Sequence, residues 1–312
     1  MKKSIAVIGQ GFVGGSLTTV FSEHGIDVYA YDKSGKYVDE ALPLRFDTAC
    51  TRYPASIAEL IEDNERLNTN FSGIYFVCVP TPMFEDGSAD LSIVESVLEE
   101  LSSQQGERIA VIKSTVPPGS VERWNEKFKL TGTRVIFNPE FLTERTALED
   151  MRNQSRIILG GPRPWINSVK QIFRIAFNNV PIIKTSSTTA EMIKYLTNNF
   201  LTVKVAFANE MAQICEALDA SGLNIDYDKV IEYASYDERV GKSHWNVPGP
   251  DGKRGYGGHC FPKDINAMID VACKNGVDPK ILKAAWQKNL EIRPEKDWES
   301  LTGRAVSTKT KT

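Results

Sequence analysis

Seven short runs rich in valine and isoleucine recur between residues 4 and 186, and helical spacing fills most of the gaps, so this stretch has few ways to fold. The runs are SIAVIG (4–9), VYAYD (28–32), IYFVCVP (74–80), RIAVIKST (108–115), RVIFNPEF (134–141), RIILGG (156–161) and PIIKTS (181–186). Apolar throughout rather than alternating with polar residues, they suit strands covered on both faces by helices. Between them Phe12–His24, Leu91–Ser103, Val121–Lys129 and Trp165–Phe177 place apolar residues at helical intervals. This alternation predicts a doubly wound α/β domain built on a parallel sheet.

After Ser186 the pattern changes. From Thr188 to about Ala220, apolar residues stand at Met192, Ile193, Leu196, Phe200, Val203, Phe207, Met211, Ile214 and Leu218, a period close to that of an α-helix. A helix of that length exceeds what one globular core needs. It is expected to join two domains and to offer a homodimer interface. The remainder, to about Leu301, reads as further helices interrupted by a Gly/Pro-rich loop at 241–262, and SerThrLysThrLysThr at 307–312 reads as a frayed, solvated end.

Composition narrows the function classes. Across 312 residues, 37 basic and 40 acidic side chains are spread without a long block of one sign, giving a net charge of -3. Nothing in that distribution attracts a phosphate backbone, so nucleic-acid binding is not expected. Five cysteines (Cys50, Cys78, Cys215, Cys260 and Cys273) form no CxxC pair and the three histidines are scattered, so neither a zinc site nor a disulfide framework is indicated. That usage fits a reducing cytoplasm. The N-terminal apolar stretch is too short for a signal peptide, and no stretch approaches a membrane span.

Gly9, Gly11 and Gly14 form GxGxxG directly after the first strand and at the opening of the first helix. In that setting the glycines let the backbone turn tightly, approach a pyrophosphate and aim helix N–H groups at it. Asp32 ends the second strand, 18 residues beyond Gly14. A carboxylate there accepts hydrogen bonds from adenosine ribose hydroxyls and repels a 2'-phosphate, which points to NAD. Lys33 beside it works against that preference. The fold expected is a Rossmann-type doubly wound sheet followed by an all-helical domain, joined by a long central helix. Its boundaries are 1–186 for NAD binding, 187–301 for the helical, dimerising domain, and 302–312 for a flexible tail.

A second glycine-rich segment, GYGGHCFPKD at 255–264, presents Cys260 in a turn with Lys263 and Asp264 close behind it. A thiol held this way can attack a carbonyl carbon once deprotonated, and Lys263 would favour the thiolate. The plainer alternative is a loop cysteine with no task. Cys78, inside an apolar run, reads as a core thiol.

With these pieces placed, the sequence resembles the UDP-glucose/GDP-mannose dehydrogenase family. The resemblance runs from residue 1 to about 295. It rests on GQGFVG (9–14), VPTP (79–82), STVPPG (114–119), NPEFL (138–142), KYLTN (194–198), NEMA (209–212), DERVG (237–241) and GYGGHCFPKD (255–264), in the family's order. What the resemblance implies is oxidation of the primary alcohol of a UDP-glucose-like nucleotide sugar to a carboxylate. Two hydride transfers to NAD would proceed through a covalent Cys260 thiohemiacetal and thioester. Lys194 and Asn198, an i, i+4 pair, would then flank the reacting oxygen, Asp264 would hold or activate water, and Glu140 and Thr115 would complete the catalytic set. The cofactor set would be Gly9, Gly11, Phe12, Val13, Gly14, Asp32, Lys33, Thr81, Thr115 and Lys263. Phe141, Leu142, Lys194, Asn198, Arg239, Tyr256 and Gly257 would meet the substrate, Arg239 from a neighbouring subunit. The resemblance implies no metal. Glu140 could instead cap a helix starting near Thr143, and Lys194, Asn198 and Arg239 could be solvated surface.

Two departures bear on substrate identity. Members of the family usually continue into a third, nucleotide-binding domain, whereas this sequence ends at Thr312. The segment after Asp32 is also shorter than usual, with ArgPheAspThrAlaCys at 45–50 in place of the family's substrate-proximal elements. A two-electron dehydrogenase of the β-hydroxyacid type, which shares the KxxxN helix, and an NAD-binding remnant without turnover stand as alternatives. Cys260 separates the first of these, because a two-electron enzyme needs no covalent sulfur.

Overall fold

The computed structural model describes residues 3–35, 51–67, 73–104 and 106–311. The ArgPheAspThrAlaCys segment at 45–50, Cys50 included, lies outside them. Two compact units form, one from Met1–Thr81 and Leu91–Lys194, the other from Pro82–Asp90 and Tyr195–Thr312.

The first unit runs β1 (Ser4–Ile8), α1 (Phe12–Glu23), β2 (Asp27–Tyr31), β3 (Thr51–Arg52), α2 (Ile57–Leu67), β4 (Gly73–Val77), α3 (Ser92–Ser102), β5 (Arg108–Ile112), α4 (Ser120–Lys127), β6 (Thr133–Phe137), α5 (Ala147–Arg152), β7 (Ile157–Gly160), α6 (Arg163–Ala176), β8 (Ile182–Thr185) and the start of α7 (Ser187–Ala220). The sheet order is β3-β2-β1-β4-β5-β6-β7-β8. All seven apolar runs form strands, and in the central ones burial on both faces follows from their composition. In β1, Ile5 and Val7 join one apolar cluster while Ala6 and Ile8 join the other. In β4, Ile74 and Phe76 point to the first, Tyr75 and Val77 to the second. The two-residue side-chain period therefore feeds two cores from one continuous hydrophobic run.

One pairing departs from the all-parallel expectation. β6 and β7 meet through a single antiparallel pair, Phe137 with Gly160, after which β7 and β8 are parallel again. The link between β6 and β7 holds a site loop and only the six-residue α5, so no long crossover helix returns the chain in parallel.

α7 has 34 residues and spans about 50 Å at helical rise. Its turns to Lys194 belong to the first unit and those from Tyr195 to the second. The second unit adds α8 (Tyr227–Ala234), α9 (Phe261–Lys274) and α10 (Lys280–Ile292), with a 3-10 turn at Asp297–Ser300. Its packing is divided among small clusters, one around Tyr256, Ile265 and Ala285, another around Tyr195, Ala267 and Met268, a third around Met83, Trp298 and Ala305.

That third cluster changes the view of residues 302–312, expected to be a flexible tail. Met83 N–H donates to Ala305 O at 2.9 Å, Ser307 N–H donates to Met83 O at 2.8 Å, and Lys311 pairs with Asp86 at 2.6 Å. Buried Ala305 and Trp298 supply the apolar contacts that a Lys/Thr-rich composition conceals. No helix among the described residues is long and apolar enough to cross a membrane.

Within the first unit, α7 fastens the STVPPG loop. The Glu191 carboxylate accepts from Gly119 N–H at 2.6 Å and Val121 N–H at 2.9 Å, where α4 starts. Burial nonetheless outweighs these two amide bonds and raises its pKa from 4.5 to about 7. The folded state therefore binds this proton more tightly than the unfolded chain does. The stabilisation is full below pH 4.5 and is lost as pH rises to about 7. At about 1.4 kcal/mol per pH unit, we expect the stability of the wild type relative to Glu191→Gln to fall by a few kcal/mol across that window. Urea denaturation at a series of pH values reads this directly, and a pH-independent difference between the two proteins would contradict it.

Candidate active site

In the first unit the residues expected to hold the cofactor cluster at the carboxyl ends of strands, where open parallel sheets leave room for ligands. β1 delivers Gly9, with φ of 89° and its N–H bonded to Tyr31 O at 2.8 Å. A Cβ on Gly14 would lie 1.8 Å from Gly9 O, so residue 14 must be glycine for α1 to begin there. A Cβ on Gly11 would meet nothing within 4 Å. Gly11 is the N-cap of α1, no side chain caps the helix, and its first turn holds no acidic residue. Half-buried Phe12 and Val13 open that turn. The arrangement leaves backbone N–H groups facing open space, which fits a pyrophosphate.

Asp32 at the end of β2 accepts from Gln10 N–H at 2.8 Å and from Ser34 N–H and Oγ at 2.9 and 2.6 Å. These bonds fix a carboxylate beside the glycine turn, while Lys33 is exposed. After β4, Thr81 donates its hydroxyl to Thr115 O at 2.8 Å, and Ser114 donates to Val79 O at 2.6 Å. The loops after β4 and β5 are thus tied together at Thr115 and the residue before it. Cys78, expected in the core, is half-buried just after β4 and packs against the first apolar cluster, and burial pushes its pKa up to about 12.

The next two strands build a buried polar network that sequence reasoning only partly found. Lys113, following β5, donates to Asn138 Oδ1 at 2.8 Å and pairs with Glu140 at 2.8 Å. Glu140 accepts from Phe141 N–H at 2.8 Å, and its backbone carbonyl accepts from Lys194 Nζ. It caps no helix starting near Thr143, because its carboxylate is turned inward and the residue is only 7% exposed. Lys194 also lies 5.4 Å from the Phe141 ring centroid, and Arg156 lies 4.4 Å from the same ring. Leu142 packs onto the first apolar cluster, that of Ile5 and Val7. Lys113, Asn138 and Arg156 were missed as individuals. The signal for the first two was a lysine and an asparagine at the carboxyl ends of buried strands.

In the second unit, Asn198, Lys263 and Asp264 converge. Asp264 is 1% exposed; one carboxylate oxygen accepts from Asn198 Nδ2 and the other from Lys263 Nζ, each at 2.6 Å. Lys263 thus has Asp264 as an ion partner, where the sequence placed it beside the thiol. Cys260 is exposed and is the N-cap residue of α9. Its carbonyl accepts from Asp264 N–H at 3.0 Å, one turn on. The partial positive charge of the helix start acts on whatever charge the sulfur carries.

Three expected substrate residues are placed differently. Tyr256 is 4% exposed, its hydroxyl 3.4 Å from Ala285 O, and burial pushes its pKa upward. Gly257 faces Arg293 and Asp297. Arg239, with a 90% exposed side chain, folds back on Asp237 at 2.5 Å. Among the described residues no group of three His, Cys, Asp or Glu side chains is placed to hold a metal ion.

Residues 3–176 match the family model described as UDP-glucose/GDP-mannose dehydrogenase family, NAD binding domain, and residues 188–291 match the central domain of the same family. A UDP-glucose 6-dehydrogenase AglM from Haloferax volcanii is 32% identical over 96% of this chain and 72% of its own length. A UDP-glucose 6-dehydrogenase from Pseudomonas aeruginosa is 33% identical over 91% of this chain and 65% of its own length. The chain thus spans about two thirds of the length of these two relatives. Among solved structures, a UDP-glucose dehydrogenase from Pyrobaculum islandicum superposes with a TM-score of 0.80 at 28% identity, covering 96% of this chain and 71% of that one.

The glycine geometry separates binding from folding. Gly11→Ala adds a methyl to open space, so the protein should fold with near-native stability yet bind NAD at least about 10-fold more weakly. Gly14→Ala forces the methyl into Gly9 O and should yield little folded protein. Isothermal titration with NAD, alongside thermal melts, distinguishes the two; native NAD affinity in Gly11→Ala would show that the pyrophosphate lies elsewhere.

Proposed function

The chain belongs to the UDP-glucose/GDP-mannose dehydrogenase family, and we propose from that premise that it oxidises the primary alcohol of a UDP-glucose-like nucleotide sugar to a carboxylate. The observation that carries the proposal is the convergence of Asn198, Lys263 and Asp264 at the start of the helix headed by exposed Cys260. A two-electron dehydrogenase has no use for a presented sulfur. The relatives named UDP-glucose 6-dehydrogenase support the substrate class.

NAD, when bound at the glycine turn and Asp32, supplies a two-electron acceptor for each of the two oxidations. The chain's own groups then have separate duties. Lys194 and Asn198, one helical turn apart, donate hydrogen bonds to the substrate oxygen as it gains charge. Once the alcohol has become an aldehyde, the Cys260 sulfur adds to its carbonyl carbon and the oxygen takes up a proton, giving a thiohemiacetal. The second oxidation removes a hydride from that carbon and the proton from its hydroxyl, and leaves a thioester. Asp264 orients the water that adds to the thioester carbonyl; the C–S bond breaks, the sulfur recovers its proton, and the carboxylate departs. Glu140, held by Lys113, is fixed near the Lys194 ammonium through its own carbonyl. Thr115 lies on the loop that Glu191 secures.

We further assign NAD binding to the first unit and the role expected of 187–301 to the second, which also takes in Pro82–Asp90 and the segment to Thr312, and place the protein in the cytoplasm, in the supply of uronic acids for polysaccharide assembly. Leu196, Phe200, Phe207 and Ile214 on α7 are 63%, 65%, 51% and 45% exposed. Their spacing of four, seven and seven residues makes one apolar stripe, and a stripe of this kind can pair with itself across a two-fold axis. It supports a homodimer through α7.

Two measurements follow. Purified protein given NAD and UDP-glucose should form two NADH for each carboxylate, and Cys260→Ala should form no carboxylate; one NADH per product, or full activity without the sulfur, would defeat the mechanism. Leu196→Glu with Phe200→Glu should convert a dimer to a monomer in light scattering, and an unchanged mass would remove α7 from the interface.

A further inference from the structure

The loop that leads to Cys260 is gripped residue by residue by α10, the turn after it and α7. Asn289 on α10 is fully buried and makes two bonds to one residue: its Oδ1 accepts from Tyr256 N–H at 2.7 Å and its Nδ2 donates to Tyr256 O at 2.9 Å. An amide side chain used this way imitates a neighbouring strand and leaves the peptide no freedom to rotate. One turn on, Arg293 is 2% exposed and spends its guanidinium on three partners. Nη1 donates to Arg254 O at 3.2 Å, Nη2 to Asp251 at 2.7 Å, and Nε to Asp297 at 2.6 Å. Asp297 in turn accepts from Gly258 N–H at 3.3 Å, two residues before the cysteine. From α7, Asn209 takes Gly255 N–H at 3.2 Å.

The glycines match this grip from the other side. A Cβ on Gly255 would lie 2.4 Å from Asn289 Oδ1, and one on Gly257 would lie 2.4 Å from Asp297 and 2.6 Å from Arg293. The absent side chains therefore serve the approach of the loop to α10. Exposure to a ligand is not what requires them.

We propose that Asn289 and Arg293 are positioning residues for the reaction, setting the location of the Cys260 sulfur by fixing the backbone of residues 254–258. The proposal rests on Cys260 as the reacting group. Neither residue touches substrate or cofactor in it; both act through the loop.

The test uses the full chain with NAD and UDP-glucose, and two readouts. The first is kcat and KM from NADH formation. The second is the rate at which iodoacetamide alkylates Cys260, followed by mass spectrometry of its peptide. Asn289→Ala and Arg293→Met should lower kcat by about 100-fold, as a misplacement near 1 Å does, with KM for NAD unchanged and the alkylation rate altered. Arg293→Lys, which restores the charge but not the fork, should recover part of kcat. Should Asn289→Ala not accumulate as folded protein, Gly257→Ala perturbs the Arg293 and Asp297 side of the same grip from the loop, since its methyl would lie 2.4 Å from Asp297 and 2.6 Å from Arg293. Folded variants with wild-type kcat and wild-type alkylation, differing only in melting temperature, would overturn the proposal and leave the two residues a structural role. Carboxylate formation by Cys260→Ala would instead defeat the functional assignment, and the alkylation comparison would still decide whether α10 places the sulfur.

Discussion

The turn from β1 into α1 tolerates no side chain at residue 14, because a Cβ there would lie 1.8 Å from the Gly9 carbonyl. Everything the first unit offers a cofactor depends on that approach. With Gly9 in a left-handed conformation and Gly14 pressed against it, α1 begins directly beyond the carboxyl end of β1 with no side chain capping its first N–H groups. The neighbouring strands then bring Asp32, Thr81 and Thr115 to the same rim, since parallel strands in register all end on one side.

Behind that rim the electrostatics are those of a closed network. Lys113, Asn138 and Glu140 are all buried, and each satisfies another, so no charge is left alone in a low-dielectric interior. Removing one partner of such a pair costs roughly 3–5 kcal/mol, which makes this cluster a stiff base. In the second unit Asp264 occupies the same kind of position. Its two oxygens are taken by Asn198 and Lys263, so its orientation is set before any substrate arrives. Both units therefore present pre-oriented polar groups rather than groups that must reorganise on binding.

Much of this was legible in the sequence, and the parts that were not share a cause. Seven strands could be read because each is a continuous apolar run. β3 has two residues and α5 has six, too short to carry a period, and α2 sets four acidic residues among five apolar ones, so its buried stripe of Ile57, Leu60 and Ile61 is short. The glycine turn, Asp32 and Cys260 announced themselves by local spacing, whereas Lys194, Asn198 and Asp264 entered through the resemblance of KYLTN and GYGGHCFPKD to the family's motifs. Asn289 and Arg293 did not, for their partners Tyr256 and Asp251 lie 33 and 42 positions away, and only folding brings α10 to the loop. Residues 302–311 misled because a polar, lysine-bearing composition suggests solvent, whereas the backbone there bonds to a loop more than 200 positions earlier. Tyr256 and Gly257 were expected beside the substrate; the contacts that long-range folding gives them are with α10 and the turn that follows it.

The nine residues from Pro82 to Asp90 leave the first unit, contribute Met83 and Ala89 to clusters of the second, and then return. The helical unit is consequently not a contiguous stretch of chain. A ribosome finishing residue 81 has yet to make most of what this excursion packs against, and the segment waits for roughly 100 further residues before α7 begins the rest of that unit. Cutting the gene at the border of α7 would orphan Met83 from Trp298 and Ala305, so neither half is a natural building block to be swapped or expressed by itself.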